Sequence, residues 1–265
     1  MPEHVKIAGK HRKSASTPLE PRPLTPTLQT RTRYWTTMVW ALFATLWAGF
    51  GFLIAERFAP RSGQFSRWGA RWGKALFAPA GIRVEAEVTE DLSRLQPCVF
   101  VANHQNSLDI PAMLMAIPVE FGFVAKASLA RIPVLGHAIS ASPSVFVDRS
   151  DPRRSLESMR TAARRIREGS SVLVFAEGER SYGQTVGPFK RSAFSLAAEA
   201  GVPVVPVTIH NAWTLFDERR RVARPGTIRV TAGDAFLIPG TSRLEVQQAA
   251  DHARNVIVSR MTSQG

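Results

Sequence analysis

Cysteine is almost absent from this chain of 265 residues, in which Cys98 stands alone. A single cysteine excludes an internal disulfide and any zinc site that needs several thiolates. Such scarcity is compatible with a reducing compartment. We interpret Cys98 as a small buried apolar residue, because free cysteine is among the residue types most often buried in proteins.

Short motifs for cofactors and catalytic metals are also missing. The sequence contains no GxxxxGK(S/T) loop, no GxGxxG turn and no HExxH pair. Those patterns predict nucleotide sites and protease zinc sites. Ser181 does not belong to a GxSxG elbow, because Glu179 occupies the first glycine position. We therefore expect no tightly bound cofactor and no metal, and we interpret His137 and His210 as polar residues at the ends of elements.

Acidic residues are outnumbered, since 21 Asp and Glu stand against 34 Lys and Arg, for a formal net charge of +13. Such a chain attracts anionic partners, which include nucleic acid, an anionic membrane surface and phosphorylated substrates. The tryptophans discriminate among these partners, because five of the six lie at 35–72, beside an apolar run and not within a basic groove. We therefore predict a membrane partner and no nucleic acid.

Charged side chains are absent from residues 35–55, WTTMVWALFATLWAGFGFLIA, a length that crosses the hydrocarbon core as a helix. A cleaved signal peptide fits less well because its apolar core is only about 7–15 residues long, and a buried soluble helix seldom lacks charge throughout. More basic residues follow the segment than precede it, which places the rest of the chain on the cytoplasmic side of the cell (inner) membrane. A re-entrant hairpin with both ends in the cytoplasm satisfies the same bias.

Composition divides the chain into three parts. Residues 1–33 are rich in Pro, Thr, Ser, Lys and Arg and are predicted to form a disordered basic tail. Residues 34–80 are the membrane-anchoring part, with the apolar segment and a second helix at 64–78 that has aromatic residues on one face and basic residues on the other. This second helix either lies at a membrane interface or packs on the folded domain. Residues 81–265 form that domain.

Residues 81–265 alternate between apolar runs suited to strands and helical patterns. The predicted strands are 83–88, 98–102, 121–126, 145–148, 172–176, 202–209 and 227–231, and the predicted helices are 109–117, 153–168, 190–200 and 243–261. Strands that alternate with helices favour a mostly parallel sheet flanked by helices on both faces. The predicted fold class is therefore α/β, preceded by an N-terminal membrane helix and an interfacial helix.

The segment after the second predicted strand contains a candidate proton-transfer pair. His104 and Asp109 are five residues apart, so on one helix they would point about 140° away from each other. They can meet if His104 lies in the turn after the strand and Asp109 enters the first turn of the helix. A carboxylate bonded to one imidazole nitrogen leaves the other free to take a proton. Alternatively, Asp109 caps the helix and His104 is an ordinary polar residue.

A second polar segment, 175–181, follows another predicted strand. A surface ion pair between Glu177 and Arg180 is the ordinary interpretation of its charges. However, an arginine close to Gly178, which permits close backbone approach, is well suited to hold a phosphate by two hydrogen bonds. Active-site groups often lie just beyond the carboxyl ends of parallel strands, which is where both polar segments are predicted.

Four segments, in order and spacing, resemble the motifs of the glycerolipid acyltransferases, typified by bacterial 1-acylglycerol-3-phosphate acyltransferase. They are HxxxxD at 104–109, the stretch from Lys126 through VDR at 147–149, FAEGER at 175–180 and VPVVPV at 202–207. A single HxxxxD match is common by chance, whereas four ordered motifs behind an apolar segment are specific. The resemblance covers residues 95–235 and makes residues 81–265 the expected acyltransferase catalytic domain.

The resemblance implies an O-acyltransferase in which His104 deprotonates the hydroxyl of a lysolipid and Asp109 orients His104. The implied donor is acyl-CoA or acyl-carrier protein, and the implied acceptor is the sn-2 hydroxyl of 1-acylglycerol-3-phosphate (lysophosphatidate). The product is phosphatidate, an intermediate of phospholipid biosynthesis. Because no nucleophile elbow is present, direct transfer without an acyl-enzyme is expected.

The resemblance also implies a set of substrate-binding residues. Arg180 and Lys126 are expected to hold the substrate phosphate. Glu177 and Gly178 match the family's EG pair and are expected to shape that site. Arg149 matches the arginine of the second motif, with an expected structural or positioning role.

The sequence departs from the family pattern beside these motifs. FPEGTR reads FAEGER here, so that Glu179 adds a carboxylate next to Arg180, and Ser192 and Ser144 replace glycines common in the family. These changes keep open a different acceptor, either a lyso-ornithine lipid or another lysophospholipid. A function of another class, a basic membrane-tethered binding protein without turnover, is the remote alternative.

Overall fold

The computed structural model describes residues 25–60, 63–88, 91–148, 151–183 and 185–263. The helices in these ranges are α1 (Leu28–Phe58), α2 (Gln64–Phe77), α3 (Asp109–Ala116), α4 (Leu135–Ala141), α5 (Pro152–Arg167), α6 (Ser192–Ala200), α7 (Ala212–Leu215) and α8 (Arg243–Ser263), with a 3₁₀ helix at Ala127–Arg131. The strands are β1 (Ile82–Val88), β2 (Val99–Ala102), β3 (Gly122–Lys126), β4 (Val145–Val147), β5 (Val172–Phe175), β6 (Val204–His210), β7 (Phe216–Asp217), β8 (Val222–Ala223) and β9 (Gly226–Ala232).

Seven of the strands form one sheet in the order β1-β9-β6-β2-β5-β3-β4. Neighbours in this sheet are parallel, except that β6 and β9 pair antiparallel. The predicted α/β class with a mostly parallel sheet is therefore confirmed. Strand β2 lies between β6 and β5 and is parallel to both, so its carboxyl end is flanked by the ends of two parallel neighbours.

Helices cover both faces of this sheet, because its central strands are apolar on both sides. All four residues of β2 and all seven of β6 are buried. Alternate residues of β2 face opposite layers. Phe100 packs in the core that includes side chains of α1, α2 and α3, whereas Val101 packs in the core that includes side chains of α5, α6 and α8.

Helix α1 begins earlier than the sequence pattern predicted. Thr27 caps it, since its hydroxyl accepts from the N–H of Thr30 and its own N–H donates to the Thr30 hydroxyl. Residues 28–33, predicted as part of the tail, are therefore helical, and residues 1–24 of the predicted tail lie outside the described residues. By length and composition, α1 is long and apolar enough to cross a membrane.

The described part of α1 lies along the folded domain over most of its length. Near its start, Tyr34 stacks on Phe216 with ring centroids 4.9 Å apart. About four turns later, Gly49 faces Val134, and a Cβ at Gly49 would lie 2.4 Å from the Cγ1 atom of that valine. The opposite face of α1 is apolar and exposed.

Helix α2 packs between α1 and α3. Of the two arrangements left open by the sequence, this is packing on the folded domain. Gly73 lies against α3 so closely that a Cβ would be 2.7 Å from the Met115 side chain. Toward α1, the indole N–H of Trp72 donates to the Thr45 hydroxyl at 3.1 Å. The two N-terminal helices thus belong, with α3, to the helical layer on one face of the sheet.

Candidate active site

The turn after β2 brings His104 and Asp109 together. Strand β2 ends at Ala102, and α3 begins at Asp109, whose side chain is fully buried. The Nδ1 atom of His104 lies 2.7 Å from Oδ2 of Asp109. With that carboxylate ionised, Nδ1 carries the imidazole proton, and Nε2 keeps a lone pair that can accept another.

Asp109 also holds the backbone of this turn. Its Oδ2 accepts hydrogen bonds from the N–H of Gln105 at 2.5 Å and from the N–H of Asn106 at 2.9 Å. Burial raises the pKa of the Asp109 carboxyl, and the bonds from His104 and from these two N–H groups act in the opposite direction. One carboxylate therefore fixes both the imidazole and the loop that carries it.

Glu177 supports the same turn from the end of β5. Its Oε1 accepts from the N–H of His104 at 2.8 Å, and its Oε2 accepts from the N–H of Gly187 at 2.8 Å. Burial raises the pKa of the Glu177 carboxyl, and the two N–H donors oppose that shift. Glu177 was predicted among the substrate-binding residues as one that shapes the site, and here each of its oxygens accepts from a backbone N–H group.

Gly178 occupies a position that favours glycine for two reasons. Its φ of +79° lies in the left-handed region. A Cβ at this position would also lie 2.5 Å from Nζ of Lys190. The absent side chain leaves room for that ammonium group, and Lys190 is a residue that sequence analysis did not select.

Arg180 forms an ion pair that the sequence did not predict. Its Nη1 lies 2.8 Å from Oε2 of Glu218. The other carboxylate oxygen of Glu218, Oε1, accepts from the N–H of Ser107 at 2.8 Å. The neighbouring Glu179 has an exposed side chain. Glu218 follows β7 and is 38 residues from Arg180, so no local sequence signal could identify it.

Lys126 ends β3, is exposed, and lines the same cavity as His104, Gly178 and Arg180. The structure therefore gathers four of the residues selected from the sequence around one cavity. Asp109 lies directly behind His104. Arg149, the remaining predicted site residue, lies outside the described residues.

The cavity has a volume of about 510 Å³. Its charged and polar lining consists of Thr45, His104, Lys126, Glu179, Arg180 and Tyr182. Its apolar lining includes Ala48, Gly49 and Phe52 of α1, Phe65, Trp68 and Trp72 of α2, and Leu135, Ala138 and Ile139 of α4. A molecule with an anionic head and a long apolar chain matches this division of the walls.

The other conspicuous histidines lie outside the cavity lining. His210 is buried, with Nε2 3.3 Å from the Thr231 hydroxyl oxygen. Burial, and next the positive charge of Arg229, lower the pKa of His210 to about 4. His137 is exposed on α4. Within the described residues, no group of three or more His, Cys, Asp or Glu side chains is arranged to hold a metal ion.

The cavity combines three chemical capabilities. An imidazole with one free nitrogen can take a proton from a hydroxyl group. A guanidinium and an ammonium can hold an anionic group nearby. The apolar walls can bury a hydrocarbon chain. The geometry therefore suits proton abstraction from the hydroxyl of an amphiphilic anion.

The sequence model of the acyltransferase family matches residues 83–210, from β1 to the end of β6. An uncharacterised acyltransferase of Schizosaccharomyces pombe is 34% identical over 190 residues, which cover 71% of this chain and 68% of that protein. The 1-acyl-sn-glycerol-3-phosphate acyltransferase of Haemophilus influenzae is 34% identical over 139 residues, which cover 52% of this chain and 58% of that protein.

A chloroplast 1-acyl-sn-glycerol-3-phosphate acyltransferase of Brassica napus is 34% identical over 174 residues. That match covers 62% of this chain and only 46% of the relative, so the chain spans about half the length of that protein. Among solved structures, the 1-acyl-sn-glycerophosphate acyltransferase from Thermotoga maritima superposes with a TM-score of 0.68 and 24% identity, covering 86% of this chain and 99% of that one. At this level of identity, the structural match shows a shared fold.

Proposed function

Because this chain belongs to the acyltransferase family, we propose that it transfers an acyl group from a thioester donor to the sn-2 hydroxyl of 1-acylglycerol-3-phosphate. The product is phosphatidate. The observation that carries this proposal is the His104 and Asp109 pair, joined at 2.7 Å, in the wall of a cavity that also contains Arg180. Relatives named as 1-acyl-sn-glycerol-3-phosphate acyltransferases support the choice of acceptor.

His104 is the general base of the proposed reaction. Its Nε2 takes the proton of the acceptor hydroxyl as the hydroxyl oxygen attacks the carbonyl carbon of the thioester. The tetrahedral intermediate then expels the thiolate of acyl-CoA or acyl-carrier protein, and the imidazolium returns the proton to that sulfur. Asp109 keeps the imidazole in the required tautomer and stabilises its charged form.

Arg180 and Lys126 are the proposed ligands of the acceptor phosphate. Arg180 presents a planar guanidinium with several N–H donors, of which one is used by Glu218. Lys126 adds a positive charge on the same cavity from β3. Gly178 permits close approach beside them, and the apolar walls from α1, α2 and α4 accommodate acyl chains. Arg149 retains its proposed structural or substrate-positioning role.

The exposed face of α1 is the proposed membrane-association surface. Its exposed residues include Trp35, Val39, Leu42, Phe43, Trp47, Phe50 and Ile54. Because the opposite face packs on the domain from Tyr34 to Phe52, a fully spanning α1 would draw charged surface of the domain into hydrocarbon at high cost. We therefore place α1 parallel to the membrane plane, buried in one leaflet on the cytoplasmic side of the cell membrane.

A second acceptor remains a candidate because of the charges near the cavity. Glu179 lines the cavity, and Glu218 already pairs with Arg180. These two carboxylates balance the charges of Arg180 and Lys126, which favours a head group that carries a positive charge as well as a negative one. A lyso-ornithine lipid or another zwitterionic lysolipid would satisfy that condition.

The test is a direct assay of acceptor preference. Purified protein in detergent should release free CoA from acyl-CoA when lysophosphatidate is supplied, and mass spectrometry should detect phosphatidate. Arg180→Ala should raise the KM for lysophosphatidate by about 10-fold or more, because a charged hydrogen bond to phosphate is lost. Arg153→Ala, at an exposed arginine of α5, is the matched control. Faster turnover of a zwitterionic lysolipid would favour the second acceptor, and release of no thiol with any lysolipid would contradict acyl transfer.

A further inference from the structure

Glu218 joins the two parts of the candidate active site. One of its oxygens lies 2.8 Å from Nη1 of Arg180, and the other accepts from the N–H of Ser107 at 2.8 Å. Ser107 lies between His104 and Asp109 in the turn after β2. A single carboxylate therefore connects the guanidinium proposed to hold phosphate with the backbone that carries the proposed base. The Glu218 side chain is 18% exposed, so solvent screens this pair only partly.

The hairpin that carries Glu218 is itself fixed to the site. The amide of Asn106, in the same turn, donates to the carbonyl oxygen of Phe216 at 2.7 Å. On the other side of Glu218, the guanidinium carbon of Arg219 lies 4.2 Å from the centre of the Tyr182 ring. The Asn106 bond holds the backbone before Glu218, and the Arg219 contact brings the next side chain against Tyr182, so Glu218 lies on a segment attached to the site.

We propose that Glu218 is a positioning residue, which sets the distance between the phosphate held by Arg180 and the imidazole of His104. This inference rests on the proposed function. A carboxylate beside Arg180 repels an incoming phosphate, so Glu218 does not strengthen phosphate binding. Its contribution is geometric, because a guanidinium fixed at one N–H presents the remaining donors in one orientation. Small errors in the placement of a bound substrate reduce turnover steeply.

The proposal predicts an unusual division between binding and turnover. In Glu218→Gln, kcat with lysophosphatidate should fall about 10-fold, because Arg180 can shift. The KM should stay the same or fall, since a repelling charge next to the phosphate has been removed. Arg180→Ala removes the guanidinium itself, so its kcat should fall at least as far, but its KM should rise. Glu218→Asp keeps the charge but shortens the side chain by one methylene, so that it cannot bridge Ser107 and Arg180, and its kcat should fall as well.

Asp217→Asn is the matched control in the same hairpin. It removes the same charge but keeps the side-chain oxygen that accepts from the N–H groups of Arg219 and Arg220, and its kcat and KM should equal those of the wild type. Unfolding temperature and the stoichiometry of lysophosphatidate binding should be measured for every variant. A kcat loss matched by lost binding sites would show misfolding and overturn the proposal.

Two further outcomes would also overturn the positioning role. One is a raised KM in Glu218→Gln, and the other is wild-type turnover in Glu218→Asp. These failures are distinct from a failure of the proposed function, because they are measured on a wild-type protein that converts lysophosphatidate. If the wild type consumes no thioester, the proposed function itself is wrong, and the positioning role of Glu218 falls with it.

Discussion

At the scale of single residues, the candidate site depends on a few buried carboxylate oxygens. Oδ2 of Asp109 is hydrogen-bonded to the His104 imidazole and accepts from two backbone N–H groups. Each oxygen of Glu177 accepts from one backbone N–H group. Leaving a buried donor without an acceptor costs about 1–3 kcal/mol. Alanine at either position would therefore disturb the fold of the turn as well as the chemistry, and asparagine at 109 is the more informative substitution.

His210 provides a residue-scale prediction about stability. Its pKa is about 4 in the folded chain, because burial and Arg229 disfavour the charged form, against about 6.5 when unfolded. Between these values the unfolded state binds more protons, so stability should rise with pH from about 4 to about 6.5. Allowing for solvent screening, the contribution lost on acidification is about 2 kcal/mol. Urea unfolding followed by tryptophan fluorescence across this pH range measures it.

Two variants isolate that contribution. His210→Gln removes the titrating group and should flatten the dependence by about 2 kcal/mol relative to the wild type. His137→Gln, at an exposed histidine on α4, is the matched control. An identical pH dependence in the wild type and His210→Gln would show that His210 is not held in its neutral form.

The residues of the site differ in how far sequence could identify them. His104 and Asp109 lie five residues apart across a junction of strand and helix, so a local pattern was enough to predict that they can meet. Glu177 was selected, but its partners are backbone N–H groups, which no side-chain pattern indicates. Glu218 lies 111 residues from Ser107, in a hairpin without periodic pattern, and its contact depends on the folded chain.

At the scale of elements, the longer helices and strands were predicted from the sequence, and several of the short ones were not. The predicted strands of the sheet and the helices α2, α3, α5, α6 and α8 appear with ends shifted by three residues or fewer. The 3₁₀ helix, α4, α7 and the hairpin of β7 and β8 were not predicted. Each of these helices and strands is at most seven residues long, which is too short to show a helical or strand periodicity. Three of them, the 3₁₀ helix, α4 and the hairpin, contribute directly to the candidate site.

The orientation of α1 gives a prediction at this scale. Single cysteines introduced at Leu28 and Phe58 lie at exposed ends of the helix, with 85% and 82% of their surface accessible. The natural thiol of Cys98 should not react with the maleimide, because burial raises its pKa to about 12. In sealed membrane vesicles of known orientation, an impermeant maleimide should label both new cysteines from the cytoplasmic side. Labelling of the two ends from opposite sides would show that α1 spans the bilayer.

At the scale of the whole molecule, the order of the strands brings the site together. The ends of β2, β5 and β3 lie side by side in the sheet, and they lead to His104, Glu177 and Lys126. The sequence predicted a parallel sheet, but not this order, because strand pairing depends on contacts between distant segments. The pairing of β1 with β9 at one edge is an example.

The molecule thus combines a proposed proton acceptor, a proposed anion site and an apolar cavity, with an apolar helix face exposed nearby. The central claim is that His104 and Asp109 act as one catalytic unit. A cycle of His104→Ala, Asp109→Asn and the double variant, assayed by release of CoA in the presence of lysophosphatidate, tests it most directly. His104→Ala should lose about 10³-fold or more in kcat, and the double variant should lose no more than His104→Ala. Undiminished turnover in His104→Ala, or losses that multiply in the double variant, would contradict the account.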